Sequence, residues 1–417
     1  MISADMDGFI GCGVAADSIL DAVTVLHGPG GCRMHMSRLS ARYLEREFKT
    51  REGDFFFHHE RIPCTYIDRD DYIYGASRKI SMVLDLIGGK DIEFATVIQS
   101  PGASLIGDKL KDEILLKGLD SKTAVMDFSF MSEKFSAGFD TTLTKIAEKI
   151  VKPRETRKGT VNIIGYPFTC RGYRRFLKEL KEILSRMGLE VIAAIGAGCT
   201  LDEFRRSSEA EFCLCIFPEY CRRLSSFYEE MGIKTIKSSA GAPFGYYSME
   251  EFLKTVSGYT GKDASQILED LKKDYLEIDM MKEASMNVGE AMYYKTFSVR
   301  GESSLIYPII DFMARYFRMV PLSVEITESD PFFEGKIREI LDRLGCISAL
   351  ENEFGSEYAN IMFGPGSYVK LYEAQEKCGL GIDIALPSRD LIDVSPKSVL
   401  GLEGLHRVLD IILNSRS

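Results

Sequence analysis

Strand-length apolar runs alternate with helix-length runs from one end of this chain to the other. Few architectures accommodate that pattern. Parallel strands need long crossovers, and helices supply them, so the chain is expected to form parallel sheets covered by helices. Within residues 1–157 the strand candidates are Ala22–Leu26, Cys64–Ile67, Phe94–Gln99 and Thr123–Phe128. Lys79–Ile87 and Asp108–Leu116 have the pattern of crossover helices. The charged, proline-bearing stretch Lys152–Gly159 marks the first boundary. Residues 158–260 start again with Val161–Gly165 and a helix carrying Phe176, Leu177, Leu180, Ile183, Leu184 and Met187 on one face. Gly188 stops that helix, and strands Glu190–Ile195 and Glu211–Phe217 follow. Residues 261–294 are helical and polar-rich, a bridge. The third unit, 295–417, opens on Lys295–Gly301. It runs through helix Leu305–Phe317, strand Leu322–Ile326, a helix near Lys336–Leu344, strand Ala359–Phe363, helix Tyr368–Lys377 and a last helix. Units two and three share the order strand, helix, strand, helix, strand. The expected class is therefore α/β, with three Rossmann-like parallel-sheet domains.

Composition excludes several functions. A formal charge of −10 lacks the basic face that nucleic acid requires. No run of eighteen apolar residues occurs, so no membrane-spanning helix is expected. Met1–Asp7 is acidic and lacks the basic-then-apolar pattern of a secretory leader, which points to the cytoplasm. In that compartment the ten cysteines are expected as thiols or thiolate ligands rather than disulfides.

Three of them stand out. Cys12 lies between Gly11 and Gly13, Cys32 ends His27-Gly28-Pro29-Gly30-Gly31-Cys32, and Cys64 follows Ile62-Pro63. These neighbours place each cysteine on a turn or a strand end. Three thiols presented from loops suit one soft metal centre. No Cys-x-x-Cys occurs, so neither a ferredoxin loop nor a zinc ribbon is present. On spacing alone, ordinary buried cysteines explain the pattern equally well. The glycine-rich turn lacks the Lys-Ser/Thr of a P-loop, so Gly28, Gly30 and Gly31 are expected to let the backbone approach a cofactor closely.

The order of Gly11-Cys12, His27–Cys32, Asp70-Asp71-Tyr72-Ile73-Tyr74-Gly75 and Leu105-Ile106-Gly107-Asp108 resembles the nitrogenase component 1 family over nearly the whole chain. That family spans nitrogenase MoFe-protein subunits, cofactor-assembly scaffolds, dark-operative protochlorophyllide reductase and a reductive cyclase of coenzyme F430 biosynthesis. The resemblance implies three domains around a central cleft. It implies an iron–sulfur cluster at a subunit interface, ligated by Cys12 and Cys32, with Cys64 as a third thiolate. Gln99–Ser104 lacks the cysteine that a P-cluster needs, so a simple [4Fe–4S] cluster fits better. The implied partners are a separate P-loop iron protein that holds the ATP and a second like subunit, in a homo- or heterodimer. The implied activity is reduction of a substrate, a second metallocofactor or a tetrapyrrole in the cleft. A scaffold for metallocluster assembly and a tetrapyrrole-binding module are the alternatives.

Other candidates are weaker. Cys213 and Cys215 share a strand face, where core packing is the default. Cys221 lies about one helical turn before the position of the family's cofactor-ligating cysteine. The third unit's one histidine, His406, does not match the family's cofactor histidine, so dinitrogen reduction is not implied. His35 follows Cys32 by one helical step, and His58-His59 precede Cys64. His35 or His59 has the chemistry of a proton donor, though a solvated histidine is the commoner outcome. Arg33, Arg38 and Arg42 suit substrate carboxylates or a solvated helix face.

Overall fold

A computed structural model describes every residue except 1–5, 43–61, 90–91, 128–129, 131, 285–293, 392, 394, 396 and 416–417. The first unit runs α1 (Gly8–Asp17), β1 (Val23–His27), α2 (Gly30–Arg42), α3 (Arg69–Tyr74), α4 (Ser77–Gly88), β2 (Ala95–Gln99), α5 (Leu110–Leu116), β3 (Thr123–Met126) and α6 (Phe135–Ile150). The second runs β4 (Thr160–Ile164), α7 (Tyr173–Arg186), β5 (Glu190–Ala194), α8 (Leu201–Arg206), β6 (Phe212–Cys215), α9 (Arg222–Glu230), β7 (Lys234–Lys237) and α10 (Tyr246–Thr260). Helix α11 (Ser265–Ala284) leads on to β8 (Thr296–Gly301), α12 (Ser303–Tyr316), β9 (Val320–Ile326), α13 (Pro331–Arg343), β10 (Ala359–Gly364), α14 (Gly366–Ala374), β11 (Cys378–Asp383) and α15 (Gly401–Asn414).

Among the described residues three sheets result, ordered β1-β2-β3, β5-β4-β6-β7 and β11-β10-β8-β9, with their strands paired in parallel. Strand faces alternate as the pleat requires. Val23, Val25, Ala95 and Val97 pack with α4 and α5 on one side of the first sheet. Leu26, Phe94 and Ile98 face a larger core that continues through all three units. No helix of the described residues is long and apolar enough to cross a membrane.

Several expectations change. Cys64–Ile67 forms no strand, only an isolated parallel bridge between Leu26 and Cys64. Pro63 has no N–H to extend a ladder, and Tyr66 turns into the left-handed region at φ 51°. The segment still covers the outer edge of β1. Cys12 and Cys32 lie inside helices, not on turns or strand ends. Asp7 caps α1 by accepting from Ile10 N at 3.1 Å, so the helix starts before Cys12. Strands β7 and β11 escape the apolar-run criterion because both are edges of their sheets. Lys234 and Lys237 face solvent in β7, and β11 is interrupted by Gly379 and Gly381.

Helices α1 and α6 cross at close range. A Cβ on Gly138 would overlap the Gly8 carbonyl, and one on Gly11 would overlap that of Phe135. From α6, the Asp140 carboxylate accepts from Arg223 N (2.7 Å) and Leu224 N (3.0 Å), capping α9. Helix α15 returns to the second unit, where Leu402 N donates to Glu179 and Gly401 N to the Pro243 carbonyl.

Candidate functional site

Strand β1 delivers His27 to the carboxyl edge of the first sheet, and the chain turns through Gly28-Pro29 into α2. Gly28 is packed so tightly that an added Cβ would sit 2.5 Å from Ser100 Oγ. Its N–H donates to Thr65 Oγ1 (3.0 Å), and its carbonyl accepts from Ile67 N and from Cys64 Sγ at 3.1 Å. These bonds fasten segment 62–67 onto the turn and bring Cys64 against it. Gly30 lies against the Tyr66 ring, and Gly31 borders open space.

Cys32 is half-buried in the first turn of α2, and Cys64 is buried. Burial raises both thiols. Their remaining shifts identify neighbours. The Asp7 carboxylate raises Cys32, while Cys64 is lowered by Arg33 and raised by Cys32. Arg33 is anchored by donating from Nε to the Ile62 carbonyl at 2.8 Å. Cys32 and Cys64 thus influence each other electrostatically, with Asp7 and Arg33 among their charged neighbours. Cys12 sits in the middle of α1. It is fully buried in α1, pushed up to about 12 by burial, with Thr142 and Lys145 of α6 beside its thiol. Among the described residues, no three Cys, His, Asp or Glu side chains converge closely enough to hold a metal ion. Thiolates suit the corners of an iron–sulfur cube, and a cube presents four corners.

The remaining candidates separate. His35 is exposed on α2, whose buried face is taken by Met36 and Leu39. His59, with His58, lies outside the described residues. Cys221 is sealed in the second unit, its Sγ 3.2 Å from that of Cys215 and 3.5 Å from the Phe217 carbonyl. The structure adds His27, which is fully buried with Nε2 3.1 Å from Asp108 Oδ2. Burial lowers its pKa against the pull of Asp108. Asp108 also accepts from Ala76 N and Ser77 Oγ, so it ties β1 to the start of α4. The signal was present in the His27 and Asp108 blocks, but not their pairing.

A second feature lies where the units meet. A cavity of about 150 Å³ opens at the carboxyl ends of β8 and β10, bounded by Glu302 and Pro365, with Lys134 and Phe135 from the first unit. Sheet order reverses between those strands, the place where open α/β sheets bind ligands. Three glutamates from two units surround it or underlie it. Glu219 accepts from Ser303 Oγ, Ser304 Oγ and Ser304 N at 2.6–2.8 Å, and Glu328 accepts from Ser136 Oγ at 2.9 Å. Tyr220 donates to Glu302 Oε1 at 3.0 Å. Burial raises all three carboxyls, Glu302 most strongly; Glu328 and Glu219 add to the rise of Glu302, and Glu219 to that of Glu328. Sequence reading missed this group because its members are scattered over a hundred residues.

Three parallel sheets, with a cleft at the third sheet's switch point, define an α/β protein of multidomain type. The chain belongs to the nitrogenase component 1 type oxidoreductase family, whose sequence profile matches residues 8–383. It is 26% identical over 188 residues to a light-independent protochlorophyllide reductase subunit from Halorhodospira halophila (strain DSM 244 / SL1). That match takes in 40% of this chain and only 35% of the relative. The same subunit from Methylobacterium sp. (strain 4-46) is 25% identical over 179 residues, again 40% of this chain and 35% of the relative. Among solved structures, a nitrogenase Cp1 structure at pH 6.5 superposes with a TM-score of 0.77 at 15% identity, covering 100% of this chain and 94% of that one. A second, at pH 5, gives 0.68 at 16% identity over 99% and 88%. At such identities these structures speak to the fold.

Proposed function

We propose that this chain is the electron-accepting, substrate-reducing component of a two-component, ATP-dependent reductase, paired with a second like subunit. The observation that carries this reading is the component 1 family match over residues 8–383, with Cys32 and Cys64 beside the turn that follows β1. Cys32 and Cys64 would hold one edge of a [4Fe–4S] cluster, which when bound supplies one-electron storage. Asp7, close enough to raise Cys32, is the non-thiolate candidate for a further corner, and the partner subunit supplies the rest. Arg33 favours the thiolate form of Cys64. Tyr66, Tyr72, Ile73, Tyr74 and Leu105 are exposed apolar side chains next in sequence to the small core of Ile67, Ala76 and Ala103. Such a patch suits an isologous interface beside the cluster.

The electron donor is a P-loop iron protein that binds the ATP, since this sequence has no P-loop. The substrate occupies the cleft at the ends of β8 and β10. Relatives named for protochlorophyllide make a tetrapyrrole the leading substrate class. The test is iron content after anaerobic purification. About four irons per cluster are expected, lost in Cys32→Ala and Cys64→Ala with the α/β circular dichroism retained. Folded, iron-free protein that still turns over substrate would refute the reading.

A further inference from the structure

Two thiols of the second unit face each other. Cys215 ends β6, and Cys221 stands immediately before α9. Their Sγ atoms are 3.2 Å apart. A disulfide holds its sulfurs at about 2.05 Å, so a shift of roughly 1 Å would join them. The fold makes room for this contact. Gly165 follows β4 at φ 69°, and a Cβ there would lie 2.7 Å from Cys221 Sγ. Cys213 shares the strand face of Cys215, and its Sγ accepts from Asn162 Nδ2 at 3.7 Å. Both thiols of the pair are buried. Dissolved thiols are therefore kept out, and a sulfur oxidised there finds the facing thiol first.

The chain between the two cysteines makes a short 3-10 turn, Pro218–Tyr220, and that turn holds the third unit. Glu219 accepts from Ser304 N at 2.8 Å, and Tyr220 donates to Glu302 at 3.0 Å. Just beyond Cys221, Asp140 accepts from Arg223 N and Leu224 N. A covalent tie at Cys221 would thus fix the turn that seats one unit on the other.

We propose that Cys215 and Cys221 close into a disulfide when a hydroperoxide is present, and that this bond latches the Pro218–Tyr220 turn. With hydrogen peroxide, the O–O bond breaks as one sulfur becomes a sulfenic acid and the first water leaves. The facing thiol attacks that sulfur, the S–S bond forms, and the sulfenic oxygen leaves in a second water. Two electrons pass from the sulfurs to the peroxide, and both thiol protons end in the waters. The facing thiol and burial hold the Cys215 thiol up, so closure is slow and answers sustained exposure. The proposal is independent of the reading of Cys32 and Cys64.

The test exposes the purified full-length protein to hydrogen peroxide, checks its fold by circular dichroism, then unfolds it with an alkylating agent present. One tryptic peptide, from Ser207 to Arg222, carries Cys213, Cys215 and Cys221. It should come out lighter by two hydrogens with one alkylated thiol, Cys213, and dithiothreitol should return all three thiols. Reading that peptide alone keeps the result separate from any cluster. Cys215→Ala and Cys221→Ala should abolish the bond, and Cys213→Ala should keep it. If one of these fails to fold, the fragment spectrum of the parent peptide still assigns the pair. Hydrogen exchange should slow by about threefold or more in the peptide carrying Ser304 once the bond forms, because local opening of the turn is suppressed. Three alkylated thiols in peroxide-treated, folded protein would overturn the proposal, as would a bond to Cys213 or sulfinic acid in place of a disulfide. A disulfide that leaves Ser304 exchange unchanged would overturn the latch.

Discussion

At the scale of single residues, the cysteines are predicted to differ in kind. Cys32→Ala and Cys64→Ala should each empty the chain of iron, and Asp7→Ala should lower iron content while leaving α1 weakened by the loss of its cap, about 1 kcal/mol. Cys12→Ala should keep its iron and cost about 1 kcal/mol, because the thiol fills space between α1 and α6. Iron assay with denaturant melts on the four variants checks this. Loss of iron in Cys12→Ala would return that residue to the ligand set that the resemblance implies. Glu302 gives a second prediction, whose sign follows from linkage. Its folded pKa lies above the unfolded value, so its contribution to stability is full below the unfolded pKa and is lost as pH rises through the folded one. Glu302→Gln should therefore melt higher than the parent chain in alkaline buffer, with the gap closing on acidification. A gap that widens towards acid would contradict a neutral Glu302. The turn at Gly28-Pro29 was legible in sequence because glycine and proline mark it, but the early start of α2, which takes Cys32 into a helix, was not. The glutamate group was not, since Glu219, Glu302 and Glu328 meet only through the packing of α12 against the second unit.

At the scale of elements, α6 joins the first unit to the second. Gly138→Ala would drive a methyl into the Gly8 carbonyl on α1. Two backbones would have to separate, so a loss of about 3 kcal/mol or more is expected, against a small gain from helix propensity in an open helix. Asp140→Ala should cost about 1–2 kcal/mol by uncapping α9. Chemical denaturation of both variants measures these costs, and a neutral Gly138→Ala would mean the helices are not in contact as described. Central strands and crossover helices were readable because burial on both faces demands continuous apolar runs, as in Val161–Ile164. The edges were not: β7 and β11 bury one side each and carry lysines or glycines, and Cys64–Ile67 has an apolar strand's composition with a proline at its start. Helix α1 was hidden because Gly8, Gly11 and Gly13 argue against a helix interior locally, while close packing on α6 and α2 requires them.

At the scale of the whole molecule, Cys32 and Cys64 lie beside the turn after β1, and the carboxyl-lined cavity at the ends of β8 and β10, with Phe135 of α6 lining it. That layout suits one-electron entry at an exposed edge and use at an enclosed site. Dimerisation through the Tyr66–Leu105 patch should follow, and Tyr74→Asp, which puts a charge on its most exposed aromatic, should raise the monomer fraction in analytical ultracentrifugation. A dimer indifferent to that change would place the interface elsewhere. The central claim is ATP-driven electron acceptance at Cys32 and Cys64. Electron paramagnetic resonance of the anaerobic protein mixed with its P-loop iron protein tests it directly. The account predicts a reduced-cluster signal that grows only when MgATP is present and is absent from Cys32→Ala; a folded chain with no signal, or one reduced equally without ATP, would contradict it.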